Sequence, residues 1–80
     1  MTFQQIKYLL EIYHTGSISK AAENLFLAQS SLSTAITNLE QELDCKIFNR
    51  NKSGMSPTAQ GLQIIERANK IYGEYQLMIQ

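Results

Sequence analysis

Apolar residues recur at helical spacing along most of the chain. Phe3, Ile6, Leu10 and Tyr13 form one stripe, with Leu9 at its border. Tyr8 and Ile12 fall on the opposite side, and a helix that is apolar on two sides is covered on two sides. Gly16 suits the left-handed residue that closes such a helix, and Ser17 or Ser19 can cap the next one. Ile18, Ala21, Ala22 and Leu25 then lie at i, i+3, i+4 and i+7, one face of a helix. Leu32, Ala35, Ile36, Leu39 and Leu43 repeat the pattern. Only the residues around Phe26 to Ala28 separate these two helices. So short a link makes them cross steeply and pack through small residues, here Ala21 and Ala22, which is a helix-turn-helix.

After Leu43 the period changes. Lys46 to Arg50 partly alternates and contains branched and aromatic residues, Asn51-Lys52-Ser53-Gly54 is turn chemistry, and Met55-Ser56-Pro57 returns. The pattern predicts a small two-stranded hairpin ended by Pro57, with a polar, basic tip. Thr58 is a good N-cap, and only Gly61 and Gly73 interrupt helix-forming residues from there to Gln80. In this last helix Gly61, Ile65, Ala68, Tyr72, Tyr75 and Ile79 follow a heptad seam. Ile64, Ile71 and Met78 make a second line beside it. The expectation is that one part of this wide stripe covers Tyr8 and Ile12 and that the seam meets a partner helix in a homodimer. The chain is therefore expected to be mainly α. Residues 1–57 form a winged helix-turn-helix of three helices plus a small two-stranded wing, and residues 58–80 form a long linker and dimerisation helix.

The polar positions carry the candidate chemistry. Projected at about 100° per residue, the side of the second helix-turn-helix helix opposite its leucines carries Ser30, Thr34, Thr37 and Gln41, flanked by Ser33 and Asn38. A routine solvated face would hold more Lys and Glu. Short groups that both donate and accept hydrogen bonds, near a helix N-terminus, suit a helix laid in the DNA major groove; a serine- and threonine-rich surface that merely keeps the helix soluble is the plainer reading. Gln29 can pair bidentately with adenine, Ser33 can serve a base edge or a phosphate, and the methyls of Thr34 and Thr37 can pack on thymine. With no Arg on this face, the expected preference leans toward A·T-rich sites.

Composition changes this picture in one respect. The formal net charge is zero, whereas a free-standing DNA-binding domain is usually basic. Lys46, Arg50 and Lys52 cluster in one segment, but Glu40, Glu42 and Asp44 precede it, and Arg50 could pair with Glu40 or Glu42 instead of phosphate. Eighty residues make one small domain with a limited core. No apolar run reaches the length of a membrane span, and no signal peptide is evident. The single cysteine, Cys45, excludes an internal disulfide and is expected as a small core residue of a cytoplasmic protein. The single histidine, His14, offers no nucleophile–base–orienter set and no zinc site. Neither enzymatic activity, metal nor cofactor is expected.

The combined motifs resemble the N-terminal DNA-binding domain of LysR-type transcriptional regulators over nearly the whole chain. The matching stretches are Phe3 to Leu10, Gly16-Ser17-Ile18-Ser19-Lys20-Ala21-Ala22-Glu23-Asn24-Leu25, Gln29-Ser30-Ser31-Leu32-Ser33, Ile36 with Leu39-Glu40-Gln41-Glu42-Leu43, Ile47-Phe48-Asn49-Arg50, and Thr58 with Gly61. The resemblance implies double-stranded DNA as partner, contacted by Ser19, Gln29, Ser30, Ser33, Thr34, Thr37, Arg50, Lys52 and Ser53. It also implies an antiparallel homodimer through the linker helix and a small-molecule inducer bound by a C-terminal domain absent from this chain. The sequence departs from the family pattern at Thr34 and Ser53, where basic residues are common. Ala28 stands in place of a capping Ser, and Asp44 in place of Gly. The alternative is a winged-helix protein-interaction or dimerisation module that does not read DNA, which the zero net charge favours.

Overall fold

The computed structural model describes all 80 residues. In chain order the elements are α1 (Phe3–Thr15), α2 (Ile18–Asn24), α3 (Gln29–Leu43), β1 (Phe48–Asn51), β2 (Gly54–Pro57) and α4 (Ala59–Ile79). This is the expected mainly α architecture, with a two-stranded antiparallel wing and a long terminal helix.

Local chemistry sets each boundary. Thr2 caps α1 through a reciprocal pair: its Oγ1 accepts from the Gln5 amide at 3.1 Å, and the Gln5 Oε1 accepts from the Thr2 amide at 2.8 Å. Gly16, at φ +68°, ends α1 and donates its amide to the Ile12 carbonyl. Ser17, not Ser19, caps α2, accepting from the Lys20 amide at 3.1 Å. The turn into α3 is a Schellman closure. Phe26 adopts φ +59°, the Leu27 amide donates to Ala22 and the Phe26 amide donates to Glu23. Asp44, at φ +52°, closes α3 the same way, with the Cys45 amide on Glu40 and the Asp44 amide on Gln41. Ala28 starts α3 without any side-chain cap, so the helix forgoes roughly 1 kcal/mol of capping.

The core gathers Ile6, Leu9, Leu10 and Ile12 of α1, Ala21 and Ala22 of α2, and Leu32, Ile36 and Leu39 of α3. Ile47, Phe48 and Met55 from around the wing and Ile65 and Ala68 from α4 complete it. The stripe expected on α1 shifts accordingly: Tyr13 is exposed, while Leu9 and Ile12 are buried outright. Cys45 is half-buried against this core.

The wing pairs Phe48 with Pro57 and Asn51 with Gly54, leaving Lys52 and Ser53 as its tip. Lys46 and Ile47 stand outside the ladder. β2 is fastened to the α1–α2 corner by a 3.0 Å bond from the Met55 amide to the Gly16 carbonyl. A side chain at Gly54 would overlap that carbonyl, so Gly54 is required by close approach as well as by its φ of +129°.

The last helix needs the main correction. Gly61, Ile65 and Ala68, expected in an intermolecular seam, are buried inside the chain's own core. A Cβ at Gly61 would overlap the Ile47 carbonyl oxygen. The close approach that this glycine allows is therefore within the chain, and Gly61 and Ile65 are taken up by the chain's own core, with Ala68 at its edge. Tyr72 and Tyr75 pack on Phe3, with ring centroids 5.7 and 4.5 Å away, so the aromatic contacts of α4 fall on Phe3 and not on Tyr8. Ile71, on the side beside them, is exposed, and beyond them the helix emerges, with Leu77, Met78 and Ile79 exposed. Because α4 contributes Ile65 and Ala68 to the common core, the boundary between residues 57 and 58 divides two parts that share one core.

Candidate nucleic-acid interface

α3 turns its leucine–isoleucine face inward and leaves Gln29, Ser30, Thr34 and Thr37 exposed, with Ser33 half-buried. No residue on that outer face is charged. Its N-terminus lies beside the start of α2 and the wing, since β2 is tied to Gly16. The result is an open groove lined by Ser17, Ile18 and Ser19 from the α2 end, Gln29 from α3, and Arg50, Asn51, Lys52, Gly54 and Met55 from the wing. Four residues picked from separate stretches of sequence, Ser19, Gln29, Arg50 and Lys52, are thus brought together. Ser30, Ser33, Thr34 and Thr37 continue along α3 outside the groove.

Electrostatics within this groove differ from those of the whole chain. Arg50 and Lys52 are its only charged residues, and no carboxylate lines it. Neither cation is neutralised elsewhere. The single ion pair of the structure joins the Met1 amino group to Glu42, and the Glu40 carboxylate accepts from the Ile47 and Phe48 amides. Arg50 therefore has no pairing with Glu40 or Glu42. A chain of zero net charge still presents a locally cationic cleft, the feature that a phosphate backbone needs.

Ser53 sits differently from Lys52. Its hydroxyl and amide both donate to the Asn51 Oδ1, at 2.8 and 3.1 Å. Its donors shape the wing tip, while Lys52 beside it is free. Asn51, Ser17 and Ile18 also line the groove; the sequence marked them as turn, cap and core positions, not as contacts. The Asn-x-Ser spacing of an Asx turn was the available signal for Asn51; nothing local marked Ile18 as a contact.

Comparison with known proteins places these features. Residues 3–62 match the family model described as bacterial regulatory helix-turn-helix protein, lysR family. The nitrogen assimilation regulatory protein nac of Escherichia coli strain K12 is 38% identical over 71 residues, which are 89% of this chain and 23% of that protein. The HTH-type transcriptional regulator CzcR of Bacillus thuringiensis is 37% identical over 89% of this chain and 25% of its own length. The chain thus spans about a quarter of the length of these relatives. Among solved structures, the BenM_DBD/catB site 1 DNA complex superposes with a TM-score of 0.94 at 29% identity, covering 99% of this chain and 89% of that one. The CbnR_DBD-DNA complex gives 0.91 at 27% identity, over 98% and 90% of the two chains. The chain belongs to the lysR family of bacterial regulatory helix-turn-helix proteins.

Proposed function

We propose that this domain reads double-stranded DNA by laying the N-terminal half of α3 in the major groove while the wing holds the flanking backbone. The observation that carries the reading is the groove in which Ser19, Gln29, Arg50 and Lys52 meet without a carboxylate. Gln29, Ser30, Ser33, Thr34 and Thr37 supply base-edge and methyl contacts. Arg50 and Lys52 contact phosphate or the minor groove, with Ser53 shaping the tip. Lacking a guanidinium on α3, the surface favours A·T-rich sites.

The domain acts as a homodimer through α4, on a different line from the heptad seam. Ile64 and Ile71, with Met1, Ile6, Leu43, Arg67 and Ala68, line an apolar groove, and Met78 extends that side of the helix, exposed. Tyr75 and Ile79, both exposed, border the line. The full protein is a cytoplasmic regulator with a further, inducer-binding domain; the length of the relatives, of which this chain spans about a quarter, supports the further domain, and family membership supports the rest. A band-shift assay with a random duplex pool at low salt tests the reading. Selective retention of A·T-rich duplexes is expected. Dimerisation without any DNA retention would favour a protein-interaction module, the reading suggested by zero net charge.

A further inference from the structure

We propose that Glu40 is a positioning residue for DNA binding, fixing the root of the wing against α3 and so setting where Arg50 and Lys52 stand relative to Gln29. The inference rests on the reading of α3 and the wing as a DNA surface. Glu40 is half-buried near the C-terminal end of α3. A single oxygen of its carboxylate, Oε2, accepts from the Ile47 amide at 2.8 Å and the Phe48 amide at 3.2 Å. Ile47 lies outside the wing ladder, so this contact, beside the burial of Ile47 and Phe48 in the common core, ties the approach to β1 onto the recognition helix. On the carbonyl side the same segment is held by the start of α4. The Thr58 amide donates to the Ile47 carbonyl at 2.9 Å, and the Thr58 hydroxyl donates to the Lys46 carbonyl at 2.6 Å.

The wing root is therefore clamped between α3 and α4, and only the α3 side of the clamp uses a charge. A carboxylate on the recognition helix opposes a polyanion; here it is taken up by two backbone donors, and charge-assisted bonds of this kind are roughly twice as strong as neutral ones. Phe48 begins β1, and Arg50 is two residues further on. Loosening the root frees the wing cations from their register with Gln29 without touching either. Because both amides meet one oxygen, the carbonyl oxygen of a glutamine can take the same place.

The test is a double-mutant cycle. Affinity for one duplex selected from a random pool is measured for the parent, Glu40→Ala and Glu40→Gln, each with and without Lys52→Ala. Amide hydrogen exchange at Ile47, Phe48, Leu32 and Ile36 is followed in parallel. Glu40→Ala is expected to weaken binding about threefold, the scale of one phosphate contact. The loss should be smaller once Lys52 is already Ala, with Arg50 carrying the remainder, and Glu40→Gln should recover most of it. Protection should fall at Ile47 and Phe48 and hold at Leu32 and Ile36. Losses from Glu40→Ala and Lys52→Ala that multiply independently would overturn the proposal, as would unchanged exchange at Ile47. If Glu40→Ala does not fold, Glu40→Asp takes its place in the cycle, since its shorter side chain withdraws the carboxylate from both amides while keeping the charge. A parent that retains no duplex refutes the DNA reading itself, a result distinct from independent losses in a parent that binds.

Discussion

Two side chains in this domain occupy backbone conformations that favour glycine. Asp44 does so at modest cost, because short polar residues tolerate the left-handed region. Phe26 does not: it holds φ +59° with a bulky ring that is 95% exposed, so neither backbone preference nor burial offsets the strain. Phe26→Asn should therefore raise unfolding free energy by about 1 kcal/mol, seen in urea titration as a higher midpoint with an unchanged slope; an unchanged or lower midpoint would show that the ring finds compensation in the folded state. Gly61 is the opposite case. Gly61→Ala forces a methyl against the Ile47 carbonyl, and a loss of about 3 kcal/mol is expected, on the scale of overpacking. Calorimetry that finds the variant as stable as the parent would contradict that packing. Gly16 and Asp44 were legible in the sequence as helix closures. Phe26 was not, since nothing in its chemistry announces a left-handed turn; only the Schellman bonds of its neighbours impose it.

At the scale of elements, the wing and α4 carry separate expectations. Lys52 is exposed and unpaired at the wing tip. Lys52→Ala should weaken binding about equally on all duplexes and remove about 0.9 from the slope of log affinity against log salt. An unchanged slope would remove Lys52 from the interface. For α4, two charge insertions separate the two faces of one helix. Ile65 is 2% exposed and Ile71 is 49% exposed. Ile65→Asp buries a charge in the monomer core and should unfold the domain. Ile71→Asp should leave the fold intact and yield monomers in sedimentation; a variant that remains dimeric would take Ile71 out of the interface. Periodicity made the helix, its Thr58 cap and both apolar lines legible. It did not tell which line the domain keeps for itself. That choice is made by the Lys46–Ile47 segment, whose backbone approaches Gly61 and draws the Gly61–Ile65–Ala68 line inward. Such long-range contact leaves no mark in local spacing.

Taken whole, the fold engages two of the acidic groups near the wing and leaves the wing cations free. Glu40, Glu42 and Asp44, which precede the wing in sequence, were arguments against a DNA partner, and of these only Asp44 stays exposed without a partner. Glu40 is engaged by backbone amides and Glu42 by the Met1 amino group, so Arg50 remains free. The mainly α architecture, the order of elements and the outward face of α3 were all legible beforehand. The cationic groove was legible only as scattered residues, because it exists only where the α1–α2 corner grips β2 and brings Arg50 and Lys52 beside Gln29. The central claim is that α3 reads base sequence while the wing supplies affinity without it. Its most direct test is the affinity of Gln29→Ala on a selected A·T-rich duplex and on random duplex at the same salt. The account predicts a loss of about 1–3 kcal/mol on the selected site and little change on random DNA. An equal loss on both would contradict it, leaving Gln29 as a positioning contact on a surface that binds DNA without reading it there.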